Sequence, residues 1–321
     1  MQTLTKRIDD LFSAEAPYLT DGGLETTLIF HYGLDLPCFA AFPLLDSAEG
    51  RGHLETYYGT YAEIARRAET GFVLDVPSWR ASPDWGAELG YGADDLERVN
   101  REGAEFAQSL RRKWETETTP ILVNGVVGPR GDGYVLDVAM TRGEAETFHA
   151  PQIAALVSGG VEMVTAVTMT YVDEAIGVAL AAIALSVPVV ISFTVETDGR
   201  LPSGQPLRDA IAEVDAATES GVLYFMINCA HPDHFKGDVA GDGAWRYRLG
   251  GLRSNASRLS HEELDNAEDL DAGDPVEFGQ LNRALMADLP NIRVLGGCCG
   301  TDDRHIHCIA HGGHRKHDHA A

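Results

Sequence analysis

Eight short apolar runs rich in β-branched residues alternate with helical patterns along the chain, and this alternation most constrains the fold. The runs lie at 18–24, 71–77, 120–128, 161–169, 187–195, 222–230, 245–254 and 291–299, and the seventh is the weakest. Between them, stretches such as 53–69 and 93–114 repeat apolar residues every three or four positions, as outer helices do. Strands that alternate with helices indicate a parallel sheet, and eight strands predict an α/β fold of the (β/α)8 TIM barrel type.

The chain is predicted to form a single domain over residues 1–321, with a barrel core at about 17–310 and a His-rich tail at 311–321. Its 321 residues, 44% of them hydrophobic, suffice to bury one large core. No fixed-period repeat and no Pro/Gly/Ser linker divides it. We interpret the irregular region 237–275 as a long loop around the seventh strand, and "HIHCIAH" within 304–321 as the last barrel helix.

A net charge of −24 at pH 7 limits the partners. Nucleic acids and anionic membrane surfaces are polyanions that this surface would repel, so we expect small-molecule partners and leave a homo-oligomer open. The amino terminus lacks an apolar core of secretory-signal length, and no segment reaches ~18 uninterrupted apolar residues. The expected location is cytoplasmic.

Three of the five cysteines lie at the carboxyl ends of predicted strands. Cys229 ends the sixth run, and Cys298 and Cys299 end the eighth. The carboxyl ends of the strands share one face in a parallel barrel, where its chemistry lies, so all three thiols are expected there. Neighbouring side chains on a strand point to opposite faces, so the adjacent pair can converge only if the backbone bends, which the glycines at 296, 297 and 300 permit.

Three thiolates at this face are a plausible zinc site. Catalytic zinc takes three protein ligands and leaves a fourth position open, and clustered cysteines in a reducing compartment more often bind metal or do chemistry than form a disulfide scaffold. Spacing alone leaves alternatives open, because Cys229 could be an ordinary buried cysteine and Cys298 and Cys299 a thiol couple or a vicinal disulfide.

Four segments, in order, resemble the homocysteine S-methyltransferases, a zinc-dependent barrel family that includes the S-methylmethionine and betaine enzymes. These are "LTDGGLETTL" (19–28), "VNGVVGP" (123–129), "INCAHP" (227–232) and "GGCCGT" (296–301). The resemblance covers roughly residues 17–310. It implies that Cys229, Cys298 and Cys299 hold Zn²⁺ and act in catalysis through it.

The activity implied by the resemblance is methyl transfer from a sulfonium-type donor, S-methylmethionine or S-adenosylmethionine, to the thiolate of homocysteine, forming methionine. A thiolate is the nucleophile while a free thiol has a pKa of ~8.5, and zinc would keep the bound thiol deprotonated. The sequence does not choose the donor, although no cobalamin, folate or separate S-adenosylmethionine-binding domain is recognisable. A simple sulfonium is therefore favoured, with betaine second.

The resemblance also implies a substrate pocket at the first and sixth strands. Asp21, Gly22, Gly23, Glu25 and Asn228 are its expected members. A carboxylate at Asp21 could hold the ammonium of an amino-acid substrate, or the residue could simply form a turn before the glycines. Glu25 could instead face solvent at the start of the next helix.

Two departures from the family pattern concern the substrate. Val167 occupies the expected position of a glutamate that binds the substrate's amino group, and an apolar side chain cannot pair with an ammonium. Either another acid, such as Asp21 or Glu25, takes over, or the acceptor is not homocysteine. Trp79 could receive a sulfonium or quaternary ammonium on its ring face, or it could pack under its loop. Arg253 and Asn255 are expected near the site, with roles unassigned.

Two classes of function therefore remain. One is the zinc-dependent methyltransferase. The other is a related zinc barrel that methylates or demethylates another small thiol or sulfonium, or a non-catalytic zinc-binding barrel. A metal role for the His-rich tail is disfavoured, because its last residues are interpreted as a solvated chain end.

Overall fold

Eight parallel strands pair in chain order, and the first also pairs with the last, so the sheet closes into a barrel. The computed structural model describes residues 4–137, 139–267 and 269–311. The strands are β1 Tyr18–Leu19, β2 Phe72–Asp75, β3 Ile121–Val127, β4 Met163–Met169, β5 Val189–Phe193, β6 Phe225–Asn228, β7 Leu249–Ser254 and β8 Val294–Gly297. The predicted barrel is confirmed, and each strand lies within its predicted run.

Twelve α-helices are found in the described residues. They are α1 Leu4–Ser13, α2 Leu24–Thr26, α3 Ala48–Arg67, α4 Pro83–Glu88, α5 Ala93–Trp114, α6 Arg142–Ser158, α7 Val172–Ala184, α8 Leu207–Ala217, α9 Pro232–Phe235, α10 His261–Asp265, α11 Pro275–Asp288 and α12 Asp303–His311. The predicted helix at 93–114 matches α5. The one predicted at 53–69 begins earlier, because the Ser47 hydroxyl accepts a hydrogen bond from the Gly50 N–H, 2.9 Å away, and caps α3.

The region 237–275 is more ordered than the sequence suggests. The seventh strand lies within this region as predicted, but the surrounding segment is not all loop, because it also contains a 3₁₀ turn at Ala244–Arg248 and the short helix α10. The weak run at 245–254 becomes a strand only from Leu249, after that turn. The helix predicted in "HIHCIAH" is confirmed as α12, whereas tail residues 312–321 lie outside the described part of the chain.

Side-chain alternation along the strands separates two layers of core. Val73, Leu122 and Val190 point into the barrel, and their sequence neighbours pack outward against the helices. Ile8 and Leu11 of α1, a helix that the sequence analysis did not predict, pack against this interior layer. The amino-terminal end of the barrel is thus covered by α1, and the carboxyl ends of the strands are left for the site.

No helix in the described ranges is both long enough and apolar enough to cross a membrane.

Candidate functional site

A cavity of about 450 Å³ opens at the carboxyl ends of the strands, where a parallel barrel carries its chemistry. The predicted metal and substrate residues all line it, namely Asp21, Gly22, Gly23, Glu25, Trp79, Asn228, Cys229, Cys298 and Cys299. The structure therefore brings together, at one end of the barrel, residues that lie far apart in the sequence.

The three cysteine sulfurs form a cluster in which all lie within 4.8 Å of one another, an arrangement that could hold a metal ion. Strand β7 lies between the strands that carry them. The Cys229 N–H donates to the Arg253 carbonyl at 3.1 Å on one side, and the Cys298 N–H donates to the Ser254 carbonyl at 2.9 Å on the other. The register of the barrel therefore places the segments that carry Cys229 and Cys298 at the same height along the barrel axis, one on each side of the carboxyl end of β7.

Backbone bends then draw these segments together across β7. Strands two positions apart are about 9.6 Å from each other, yet the Cα atoms of Cys229 and Cys298 are 5.4 Å apart, and the two residues are joined as a disulfide. Cys229 leaves its strand in the left-handed region at φ 54°, and Gly300 turns the other segment at φ 77°. The bend predicted near the vicinal pair is therefore present, with Gly300 supplying the left-handed residue.

Cys299 keeps a free thiol in the cluster. Burial raises the pKa of this thiol to about 11, because a thiolate loses its hydration there. The Tyr134 hydroxyl donates to its sulfur at 3.4 Å, and the Tyr134 ring stacks on His261 with centroids 4.1 Å apart. The imidazole Nε2 of His261 lies 2.9 Å from the Cys229 carbonyl oxygen. Tyr134, in the loop after β3, and His261, the first residue of α10, thus support the cysteines. Sequence reasoning missed both residues because they lie outside the strands.

Arg253 ties three sides of the cavity together. Its guanidinium donates to carboxylates of Asp21 and Asp75, and its Nε donates to the Gly297 carbonyl at 3.2 Å. The Tyr57 hydroxyl donates to Asp21 at 3.1 Å. Burial raises the pKa of Asp21 to about 7, against the opposing effect of Arg253. The sequence placed Arg253 near the site without a role; here it neutralises one of two adjacent buried carboxylates.

Glu25 lies in α2, and its side chain lines the cavity, so its predicted place near the substrate agrees with the structure better than the solvent-facing alternative does. Burial raises the pKa of this carboxyl to about 7, although a backbone hydrogen bond and the charge of Arg80 act in the opposite direction. Among the described residues, none forms an ion pair with it. Glu25 is therefore a partly buried carboxylate whose charge is not matched by a contacting cation.

Gly23 lies where the backbone after β1 passes close to the metal-site candidate. A Cβ at this position would overlap the Cys298 carbonyl oxygen and the Thr26 hydroxyl. The Gly23 N–H also donates to the Thr301 carbonyl at 3.0 Å. Its role here is close backbone packing beneath the cysteine loop.

Asn228 has its amide committed to neighbouring strands. Its oxygen accepts from the Thr168 N–H at 2.9 Å and the Ser192 hydroxyl at 2.6 Å, and its nitrogen donates to the Thr168 hydroxyl at 2.9 Å. Thr168 has φ 63°. Asn228 therefore holds the bent end of β4, beside Val167, whose apolar side chain lines the same cavity.

The ring of Trp79 already contacts a cation of the protein, the Arg80 guanidinium. The Arg80 guanidinium lies 4.6 Å from the Trp79 ring centre and 3.9 Å from that of Trp85. A Cβ at Gly128 or Gly133 would also touch the Trp79 indole. These contacts fit the interpretation of Trp79 as a packed wall residue better than that of an open platform for a substrate cation.

A closed parallel barrel with a three-cysteine cluster at its carboxyl-terminal face defines a barrel protein with a candidate metal centre. A model of the homocysteine S-methyltransferase family matches residues 18–312, and the chain belongs to this family of methyltransferases. The homocysteine S-methyltransferase of Escherichia coli (strain K12) is 28% identical over 190 residues, 55% of this chain and 56% of that protein. The matched stretch therefore spans just over half of that relative.

Solved structures of the homocysteine methyltransferase MmuM from Escherichia coli share the fold. The oxidized form has a TM-score of 0.73 at 20% identity, covering 96% of this chain and 99% of that one. The metallated form has a TM-score of 0.72 at 19% identity with the same coverage. At this identity the likeness supports the barrel and no finer detail.

Proposed function

We propose that this protein is a zinc-dependent S-methyltransferase that moves a methyl group from a sulfonium donor to the thiolate of homocysteine, forming methionine. The observation that carries the proposal is the convergence of three cysteine sulfurs inside a cavity at the catalytic end of the barrel. Family membership supports the reaction class.

The donor set supports zinc as the metal. Zinc prefers sulfur and nitrogen ligands, and Cys229, Cys298 and Cys299, whose sulfurs lie within 4.8 Å of one another, would hold it. Cys229 and Cys298 would bind as thiolates, so their disulfide must first be reduced. Zinc held by the three thiolates would keep the acceptor thiol deprotonated at neutral pH.

The protein's own residues would orient two small molecules for an in-line displacement. As the acceptor sulfur forms its bond to the methyl carbon, the bond between that carbon and the donor sulfur breaks. The electron pair stays on the donor sulfur, which leaves as a neutral thioether. No proton moves at carbon, so the cavity needs no general base there. Its contribution is position and exclusion of water.

The charge of the cavity favours a cationic donor. Two guanidiniums, of Arg80 and Arg253, face seven carboxylates, of Asp21, Glu25, Asp75, Asp132, Asp265, Asp269 and Asp271. A wall with this excess attracts cations and repels anions. S-methylmethionine and S-adenosylmethionine, which carry a net positive charge, suit it better than betaine, which is neutral overall, or anionic methylated folate.

The test combines metal analysis with a donor comparison. Protein that is reduced and supplied with zinc should bind about one ion per chain and form methionine from homocysteine with a sulfonium donor. Cys298→Ser should lose the zinc and lower turnover by more than about 100-fold, since even groups outside the ligand set are worth 10- to 100-fold. Cys38→Ser, at a partly buried thiol outside the cavity, is the matched control and should keep both properties.

Two other outcomes would contradict the proposal. If the reduced protein does not bind stoichiometric zinc, the proposed metal site is wrong. The protein could also bind zinc but form no methionine with S-methylmethionine, S-adenosylmethionine, betaine or methylated folate. That result would favour a barrel that acts on another thiol or sulfonium, or that binds zinc without catalysis.

A further inference from the structure

We propose that Glu25 is the residue that recognises the ammonium group of the acceptor and thereby selects an amino-acid thiol. This inference rests on the proposed function, because it presumes that homocysteine enters the cavity. An ammonium buried without a partner carries a large desolvation cost, so a pocket that accepts one must supply a carboxylate that is close by and not already neutralised.

Four of the other carboxylates on the cavity wall are committed to the protein. Asp21 and Asp75 share the guanidinium of Arg253, and the Asn124 amide also donates to Asp75 at 2.7 Å. Asp132 accepts from the backbone N–H groups of two following residues at 2.7 and 3.1 Å. Each of these groups would have to give up a protein contact to bind a ligand.

Asp271 is committed in the same way, since it accepts from the Ser257 hydroxyl at 2.5 Å and the Gly273 N–H at 3.0 Å. Asp265 and Asp269 are exposed, so water screens their charge and weakens any ion pair there. Glu25 remains as the partly buried carboxylate of the wall without an ion pair to any described residue.

Arg80, the cation with the largest electrostatic influence on Glu25, forms no ion pair with it. Arg80 is held between the Trp79 and Trp85 rings, lies 3.7 Å from the Asp132 carboxylate and donates to the Cys38 carbonyl. Its guanidinium influences Glu25 only through space. When a ligand ammonium binds, Glu25 would therefore gain an ion-pair partner without giving up a contact to the protein.

Glu25 is also close to the candidate metal centre. Its side chain lines the same cavity as Cys298 and Cys299, and Gly23, two residues earlier, packs against the Cys298 carbonyl. Homocysteine has two methylenes between its sulfur and the carbon that bears the ammonium. A single acceptor molecule could therefore present its thiol to the cysteine cluster and its ammonium to Glu25.

The experiment compares two thiols that differ in the ammonium. Binding of homocysteine and of 4-mercaptobutanoate, which lacks the amino group, is measured by calorimetry on reduced, zinc-supplied protein, with methionine formation assayed in parallel. Wild type should prefer homocysteine. Glu25→Gln should weaken homocysteine binding by about 30-fold or more, change 4-mercaptobutanoate binding by less than about threefold and keep the thermal midpoint of the wild type.

Three comparisons make the result specific. Glu25→Asp should retain part of the preference because the charge remains. Asp21→Asn should affect the two thiols alike, since the Asp21 charge is committed to Arg253. Glu88→Gln, at an exposed glutamate outside the cavity, should change neither affinity.

The outcomes separate this inference from the proposed function. If methionine forms but Glu25→Gln binds homocysteine as tightly as wild type, the Glu25 assignment is wrong and the methyltransferase stands. If Glu25→Gln abolishes the preference for homocysteine while no donor yields methionine, the assignment stands and the proposed reaction is wrong. A wild type that binds the two thiols equally overturns the assignment.

Discussion

Arg253 is the residue whose replacement should be most informative for stability. Its guanidinium is largely buried and serves two carboxylates at once. Removing one partner of a buried ion pair leaves an uncompensated charge, which costs more than the pair itself contributes. The ion triad is therefore expected to act as a clamp between the first, second and seventh strands.

We predict that Arg253→Gln lowers the free energy of unfolding by about 3–5 kcal/mol, measured by chemical denaturation of the reduced protein at pH 7. Arg200→Gln is the control, because the Arg200 and Asp198 side chains are 52% and 64% exposed and such pairs contribute about 1 kcal/mol at most. A loss at Arg253 no larger than that of the control would show that the clamp has little structural value.

Residue chemistry was predictable where a rule links the sequence to a position in space. Cys229 and Cys298 were expected to meet because parallel strands end at one face. The contacts of Arg253 with Asp21 and Asp75 join residues 232 and 178 positions apart, and they depend on the register of the closed sheet. A sequence cannot supply that register.

At the scale of elements, helix α12 follows the cysteine loop and begins with a capped turn. The Asp302 carboxylate accepts from the Arg304 backbone N–H at 3.0 Å and lies 3.0 Å from the His305 Nδ1. Burial acts to raise the pKa of Asp302, but its side-chain contacts with His305 and Arg304 outweigh burial and hold that pKa well below the usual range. Ionised Asp302 therefore stabilises the folded state.

Asp302→Ala should lower the free energy of unfolding by about 1–2 kcal/mol at pH 7. A carboxyl with a depressed pKa stabilises the fold above its unfolded pKa of ~3.9, and this contribution is lost as pH falls toward the folded pKa. The difference between wild type and variant should therefore shrink between pH 5 and pH 3, as followed by urea denaturation. Asp303→Ala, at the exposed neighbour, should show neither effect; an equal loss at pH 3 and pH 7 would contradict the assignment.

Elements were predicted well where periodicity is strong and poorly where packing decides. Helix α5 was placed to the residue, because its 22 residues repeat a clear apolar stripe. Helix α1 was missed, because its two buried residues, Ile8 and Leu11, are buried only by packing against the barrel interior. The sequence does not show that contact.

For the whole molecule, the net charge of −24 is the dominant electrostatic property. Like charges spread over one fold repel one another and destabilise the compact state. Salt shortens the range of this repulsion, the Debye length falling from about 10 Å at 0.1 M to about 3 Å at 1 M. Exposed ion pairs weaken under the same conditions, but each contributes little.

The thermal midpoint should therefore rise by several degrees between dilute buffer and 1 M potassium chloride, as measured by calorimetry. Replacing the exposed Glu88, Glu97 and Glu117 by glutamine removes three negative charges and should reduce that rise. A midpoint that does not change with salt would count against net repulsion as a limit on stability.

The sequence by itself determined the number and order of strands, the barrel class, the acidic surface and the placement of three cysteines at one face of the barrel. These features follow from periodicity, composition and the shared face of parallel strands. Only the tertiary structure decided which charges are already matched. Arg253 forms ion pairs with Asp75 and with Asp21, the acid that sequence reasoning favoured for the substrate, whereas Glu25 lines the cavity without an ion pair to any described residue. Such pairing depends on barrel register and on the turn after β1, and these are set by packing across the whole chain.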